Sequence, residues 1–509
     1  MPKTPSDKLF RLIKSLSPSE KRYFIVWSQS KAGRLSRFKQ LFELNDQAEA
    51  LNDPEFVKKI YPGESVEGKK YTELKAYLYD LILKALQAFD EQTSVEYRLR
   101  HLLQSVSVLF KRGLYSDCRE QLTKARRLAI YYENFSIILE TLRWEKHIAY
   151  ALSDMDLLAK EIQRIDYEED TCIKQIKNLS DYRRIFLKIW TSVKTEAAAR
   201  HEDRLEKIHL LADDPLLKNF DGALSHTARV LFFRAKTIYY YLILDYESFY
   251  ENGRKLIDLQ ESKPWFLTEN LTEYIASLSN FLLACGLLQR YDEVAETLEK
   301  FRQLKPLTHD DRVKIQRQYF SGKLNLCVFT GDFEEGRLEM ARLADEVEKS
   351  DLAFFESASF QFQFFSIAFG CQDFRLAVDF INKILGQHKT VERQDLQSLA
   401  RMLNLLVHYE MGNMELLDSL LRSSARYLRS RNRLFQMEKN FIRFMANLAR
   451  AATKEAQKEV LTKEKDLLLS EAKSPVGRIL LQYFDFESWI NSKISGDSFA
   501  NIVRQKVGK

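Results

Sequence analysis

The chain is punctuated at a nearly constant interval. A long stretch of apolar residues at helical spacing ends in a short break, usually Gly or Asp beside an aromatic or Met, and a second amphipathic stretch follows. The breaks fall at Tyr115, Met155, Tyr246, Tyr291, Phe333, Phe374, Met414 and Lys454. Tyr115 to Met155 is 40 residues, and the steps from Tyr246 onward are 45, 42, 41, 40 and 40. The 91 residues from Met155 to Tyr246 leave room for two units with a weak break near His201. A fixed period of this size predicts stacked helical hairpins. One hairpin cannot bury its apolar face alone, whereas a stack makes a continuous core. With only 16 Gly and 9 Pro in 509 residues, breakers are scarce enough for long helices throughout.

The expected architecture is all-α. A small basic helical domain over 1–92 precedes a solenoid over 93–472, and capping helices close the end over 473–509. The solenoid divides into about nine hairpins with a 40–46-residue period: 94–131, 135–176, 179–212, 222–261, 267–304, 309–350, 352–388, 391–430 and 432–472. Small residues early in second helices (Ala295, Gly336, Ala377) predict close helix approach, and the aromatic at each break is expected to be buried. In the first domain, Ser17-Pro18-Ser19-Glu20 reads as a capping box. Asp53-Pro54, Asp214-Pro215 and Ser474-Pro475 each read as an N-cap followed by Pro at the first helical position. In the last segment, Ile479, Leu480, Tyr483, Phe484, Phe486, Trp489 and Ile490 are expected to dock on the last hairpin.

Five cysteines lie far apart with no CxxC, which argues against zinc-ribbon and thioredoxin chemistry and predicts buried, reduced thiols. No segment has the apolar run of a membrane span or the pattern of a secretory signal, so a cytoplasmic protein is expected. The sequence has no P-loop, GxGxxG, GxSxG or HExxH. Glu206 and His209 form a single ExxH pair, where a di-iron site needs two plus further carboxylates. No catalytic residue, cofactor or metal site is expected.

The breaks Gly113-Leu-Tyr115, Gly331-Asp-Phe333 and Gln372-Asp-Phe374, the last followed by Ala377, match a Gly-x-aromatic-x-x-Ala turn. In these residues the chain resembles the tetratricopeptide-like superfamily, as a long-hairpin variant; a HEAT-like stack fits the period as well. The stretches Leu12–Phe24 and Lys75–Lys84 also resemble a family of bacterial helical-repeat proteins, which implies no particular activity. The superfamily resemblance implies a right-handed superhelix whose first helices line a concave groove. Polar residues inside those helices are therefore the groove candidates: Arg143, His147, Arg229, Lys236, Asn280, Lys323, Asn325, Asn404 and His408. Arg and Asn suit extended backbone and carboxylates because they carry paired donors. The aromatic runs Tyr239–Tyr241 and Phe354–Phe369 read as core.

The net charge of +6 is concentrated. Residues 1–40 hold ten Lys and Arg against Asp7 and Glu20, and residues 420–450 hold eight against Glu438. Arg34, Arg37, Gln40, Arg426, Arg429 and Arg433 are accordingly candidates for an anionic partner. The favoured function is a non-enzymatic scaffold or adaptor that binds a protein or peptide in the groove. The alternative is a DNA-binding transcriptional regulator, with a helix-turn-helix over 18–44 and a peptide-sensing repeat.

Overall fold

A computed structural model describes residues 7–31, 36–63, 68–153, 155–196, 208–349, 353–386, 394–430, 436–471 and 484–508. Among these residues there are helices and no strands. The weak break sought near His201, Glu206 of the ExxH pair, Ser474-Pro475, Ile479, Leu480 and Tyr483, and Arg34 and Arg433 lie outside them.

Five helices open the chain: α1 (Lys8–Ser15), α2 (Pro18–Lys31), α3 (Ser36–Gln47), α4 (Asp53–Ile60) and α5 (Gly68–Thr93). They share a core of Leu9, Ile13, Phe24, Leu41, Phe42 and Leu78. The capping box forms as expected: Ser17 N donates to Glu20 Oε2 at 2.6 Å and Glu20 N donates to Ser17 Oγ at 3.3 Å. At α4 the N-cap is Asn52, not Asp53. Asp53 stands one position inside the helix, and its carboxylate instead accepts from Tyr71 and Lys75 of α5.

The chain continues with α6 (Val95–Phe110), α7 (Tyr115–Tyr131), α8 (Phe135–Ala151) and α9 (Met155–Glu196). After the short α10 (Pro215–Lys218) come α11 (His226–Leu242), α12 (Tyr246–Glu261) and the one-turn α13 (Pro264–Glu269). Then follow α14 (Leu271–Leu287), α15 (Tyr291–Gln303), α16 (His309–Thr330), α17 (Phe333–Lys349), α18 (Ala358–Gly370) and α19 (Phe374–Gly386). The last pairs are α20 (Gln394–Glu410) with α21 (Met414–Ser430) and α22 (Gln436–Arg450) with α23 (Lys454–Glu471). Each helix packs chiefly on its neighbours in sequence, and α14, α16 and α18 also touch one another side by side. All eight breaks read from sequence are the first residues of helices.

One backbone device recurs at seven of these breaks. The residue two before the second helix has positive φ: Gly113, Ser153, Leu244, Gln289, Gln372, Gly331 and Gly412. Around it the last carbonyls of the first helix are satisfied from beyond its end. Leu114 N bonds to Leu109 O and Gly113 N to Phe110 O; Asp373 N bonds to Ala368 O and Gln372 N to Phe369 O. This pair of bonds is the Schellman termination, which needs one left-handed residue.

Three expectations are corrected. Residues 155–196 form one uninterrupted helix, so no break separates 135–176 from 179–212. The reason is visible in the residues: Ile165 and Cys172, then Tyr182, Ile185 and Ile189, give both parts of the helix a buried face, with no Gly or Pro between them. The first part of α9 packs on α8 and the rest on α11. Second, the break side chains are not uniformly buried. Phe333 is, but Phe374 is half-buried and Met155 is exposed. Ala295 is exposed too, its buried place taken by Val294, whereas Gly336 and Ala377 do sit against neighbours.

Third, the segment from Phe484 does more than cap the last hairpin. Helix α24 (Phe486–Ser495) packs on α23, burying Phe486, Trp489 and Ile490. The segment then runs back over the turns of earlier hairpins. Trp489 Nε1 and Lys493 Nζ each meet the Glu410 carboxylate at 2.5 Å, at the end of α20. Phe484 lies 5.2 Å from Phe369, at the end of α18. In α25 (Phe499–Val507), Phe499 stacks on Phe333 at 5.5 Å. Arg504 Nε is 3.7 Å from Asp332. The fit is close on both sides of Phe333: a Cβ on Gly370 would fall 2.2 Å from its ring, and one on Gly331 would fall 2.9 Å from Ala500 O.

Candidate functional site

The groove candidates do not form one continuous line. Arg143 and His147 share an exposed face of α8, where His147 sits edge-on to Trp144. Arg229 and Lys236 serve α11 itself. Arg229 Nε donates to Ala223 O at 3.3 Å and its guanidinium covers Phe220. Lys236 lies 4.9 Å over Phe232, and burial, helped by Lys255, pulls its pKa down. Lys323 is bound to Glu335 at 2.6 Å. Asn280 is half-buried on α14.

Asn325 is the candidate that reaches a cavity. Helices α14, α16 and α18, with Tyr291 and Val294 of α15, line a space of about 230 Å³. Its apolar wall includes Leu283, Leu287 and Phe329, and Gly286 leaves room where a side chain would stand. Its polar wall is a ladder. Gln363 Nε2 donates to Asn325 Oδ1 at 2.8 Å and to the carbonyl and hydroxyl oxygens of Ser321 at 3.0 Å each. Ser359 and Ser366 also face the space. Gln363 is buried, and this bonding holds its amide in one orientation. The space is neutral, below the roughly 300–1,000 Å³ common for small-molecule sites, and large enough for an apolar side chain or two.

Asn404 and His408 belong to a separate polar stripe on α20 with Gln397 and Arg401, at spacings that place the four on one helical face. Gln397 and Asn404 are more than nine-tenths buried, and an amide oxygen of each lacks a partner among the described residues. The Arg401 guanidinium lies 3.7 Å over the Tyr427 ring, with its pKa pulled down by burial. His408 Nδ1 meets Asn413 Nδ2 at 3.2 Å, and burial lowers its pKa.

Of the anionic-partner candidates, Arg37, Gln40, Arg426 and Arg429 are exposed. Arg37 lies over Tyr61 at 4.6 Å, while Phe38 is half-buried and Leu41 and Phe42 are in the core. His209 of the ExxH pair has its Nδ1 at 2.9 Å from the Tyr239 hydroxyl. Cys118, Cys172, Cys285 and Cys327 are buried and Cys371 half-buried, and burial raises every thiol, to about 12 at Cys285 and Cys327.

Sequence reasoning missed Gln363 and Arg401. Gln363 sits in the Phe-rich run read as core, and that reading holds for Phe360, Phe362, Phe365 and Phe369. The signal was the amides themselves: Gln361 and Gln363 interrupt an otherwise apolar helix, where an unbonded polar group is costly.

No protein-family model, curated protein or solved structure matches the chain.

Proposed function

We propose that this protein is a non-enzymatic, cytoplasmic scaffold or adaptor that holds a peptide of a partner protein between its first helices. In this reading it is a right-handed, tetratricopeptide-like solenoid of about nine hairpins. Helix α9 then serves as the second helix of one hairpin and the first of the next. The observation that carries the proposal is the cavity walled by α14, α16 and α18, with a fixed amide ladder on one side and leucines on the other. Such a site suits an extended segment: an apolar side chain enters, and the ladder's remaining donors and acceptors meet peptide groups. Charge plays no part in it, which distinguishes it from a phosphate or cofactor site.

The test is peptide-display selection on the full chain, repeated with Gly286→Leu. A Cβ at Gly286 meets only Phe329, at 3.8 Å, so the position has room to begin a side chain that narrows the space, and circular dichroism checks that the fold is kept. Enriched peptides should carry an apolar anchor and lose at least tenfold in affinity to Gly286→Leu. Unchanged affinity would remove this site. The regulator reading makes a different forecast: nanomolar, sequence-selective duplex DNA binding, abolished by Arg34→Ala with Arg37→Ala. The engagement of Arg37 with Tyr61 favours the scaffold.

A further inference from the structure

A second surface, remote in sequence from that cavity, has the opposite chemistry. Helices α6 and α7 form an open groove of about 860 Å³. Arg98, His101 and Leu102 line it from α6. Lys124, Arg127 and Leu128 line it from α7, which ends there in Ile130 and Tyr131. These last two are 54 % and 49 % exposed; one face of the Tyr131 ring is stacked on Trp265, and the rest of it forms an apolar edge with Ile130.

The charge of the groove is not balanced locally. Several cations in this part of the chain are matched. Arg100 pairs with Glu96, Arg126 with Glu145 and Glu168, and Lys146 with Glu169. Arg126 and Arg127 are adjacent, yet only Arg126 joins that network. Among the described residues neither Arg127 nor Arg98 has a carboxylate within the 4.0 Å of an ion pair. Glu269 of α13 acts on Arg98 only from farther away. Lys124 is held by Glu120 in an exposed pair four residues apart, a contact worth little and readily exchanged.

We propose that this groove is a docking site for an acidic, amphipathic segment of a partner protein. Carboxylates of the segment pair with Arg98 and Arg127, and its apolar side chains cover Ile130 and Tyr131. Charge complementarity sets the sign of the partner. The apolar floor and the two exposed apolar side chains favour a peptide over a nucleic-acid backbone, whose contacts are dominated by phosphate.

Fluorescence anisotropy with the full chain tests this. The probe is a labelled peptide alternating Asp-Glu pairs with Leu-Phe pairs; the control has Asn and Gln in place of every Asp and Glu. The acidic peptide should bind at least tenfold tighter than the control and weaken several-fold as NaCl rises from about 50 to about 300 mM. Arg98→Glu with Arg127→Glu should cost at least tenfold, Ile130→Ser severalfold, and Gly286→Leu nothing, which separates this surface from the α14–α18 cavity. All three substituted groove positions are exposed, and circular dichroism checks that the fold is kept. Failure of the acidic peptide to bind, equal affinity for both peptides, or indifference to the double arginine reversal would overturn the proposal. So would displacement of the peptide by a poly-uridine strand at lower concentration.

Discussion

Leu244, Gln289 and Gln372 hold left-handed backbone at φ 62, 58 and 59, a conformation that costs an L-residue with a side chain roughly 1–2 kcal/mol. The equivalent positions Gly113, Gly331 and Gly412 carry no such cost. Leu244→Gly and Gln372→Gly should therefore stabilise the protein by up to about 1 kcal/mol, after Gly's larger entropy loss is subtracted. Gly331→Ala should destabilise it, because a Cβ there also meets Ala500 O at 2.9 Å. Urea midpoints of the three variants check both signs. The buried imidazoles give a pH dependence. His226 is surrounded by Lys263, Arg229, Glu133 and Phe266, and its pKa is lowered, first by burial and then by Lys263. His408 is lowered by burial alone. A histidine depressed in the native state is protonated first in the unfolded chain, so their stabilisation is complete above about pH 6.5 and is lost as pH falls from there through the folded pKa. Stability measured from about pH 7.5 down to about pH 5 should decline, and His226→Gln should flatten the decline.

Among the described elements, α9 is the longest. It spans 42 residues, and an α-helix of that size is about 63 Å long. Its excursion lets distant segments meet: the Glu133 carboxylate accepts from His226 N at 2.9 Å and Thr227 N at 3.1 Å, and Tyr131 stacks on Trp265 at 4.6 Å. Asn178 fastens the later part of α9, donating to Gly222 O at 2.9 Å and accepting from Leu224 N at 3.1 Å. Asn178→Ala leaves both backbone groups without this partner and should cost about 1–3 kcal/mol in chemical denaturation, while the exposed Ser180→Ala should stay within about 0.5 kcal/mol. Helix starts such as Tyr246 and Phe333 were legible in the sequence because each follows a local signal, the turn residues of a Schellman ending. The continuity of α9 was not legible, because period counting asks for a break that no Gly or Pro supplies. The ladder at Gln363 was half legible. An amide in an apolar run is visible, but its partners Ser321 and Asn325 lie about forty residues back. The basic groove on α6 and α7 was invisible, since charge counting over long windows passes over three cations, Arg98, Lys124 and Arg127, that only the packing of two helices brings together.

Across the whole molecule, the segment from Phe484 to Val507 ties together hairpins that nearest-neighbour stacking would leave independent. An open array unfolds unit by unit; here Phe333, Phe369, Phe484 and Phe499 form one aromatic cluster drawn from three parts of the chain. Phe333→Ala should cost about 3–5 kcal/mol and the half-buried Phe374→Ala distinctly less. Phe499→Ala should raise amide hydrogen exchange in α16 and α18 together, far from the substitution in sequence. Exchange confined to α25 would show that the segment lies on the hairpins without coupling them.

The same cluster has a history during synthesis. At roughly 5–20 residues per second, Phe499 is made some ten to thirty seconds after Phe333. From the point where Gly370 is made, about three-quarters of that interval remains, during which the Phe333 ring rests on Gly370 without Phe499 against its other side. The cell must shelter a newly made aromatic surface at this one turn for longer than at any turn that closes on its own neighbour.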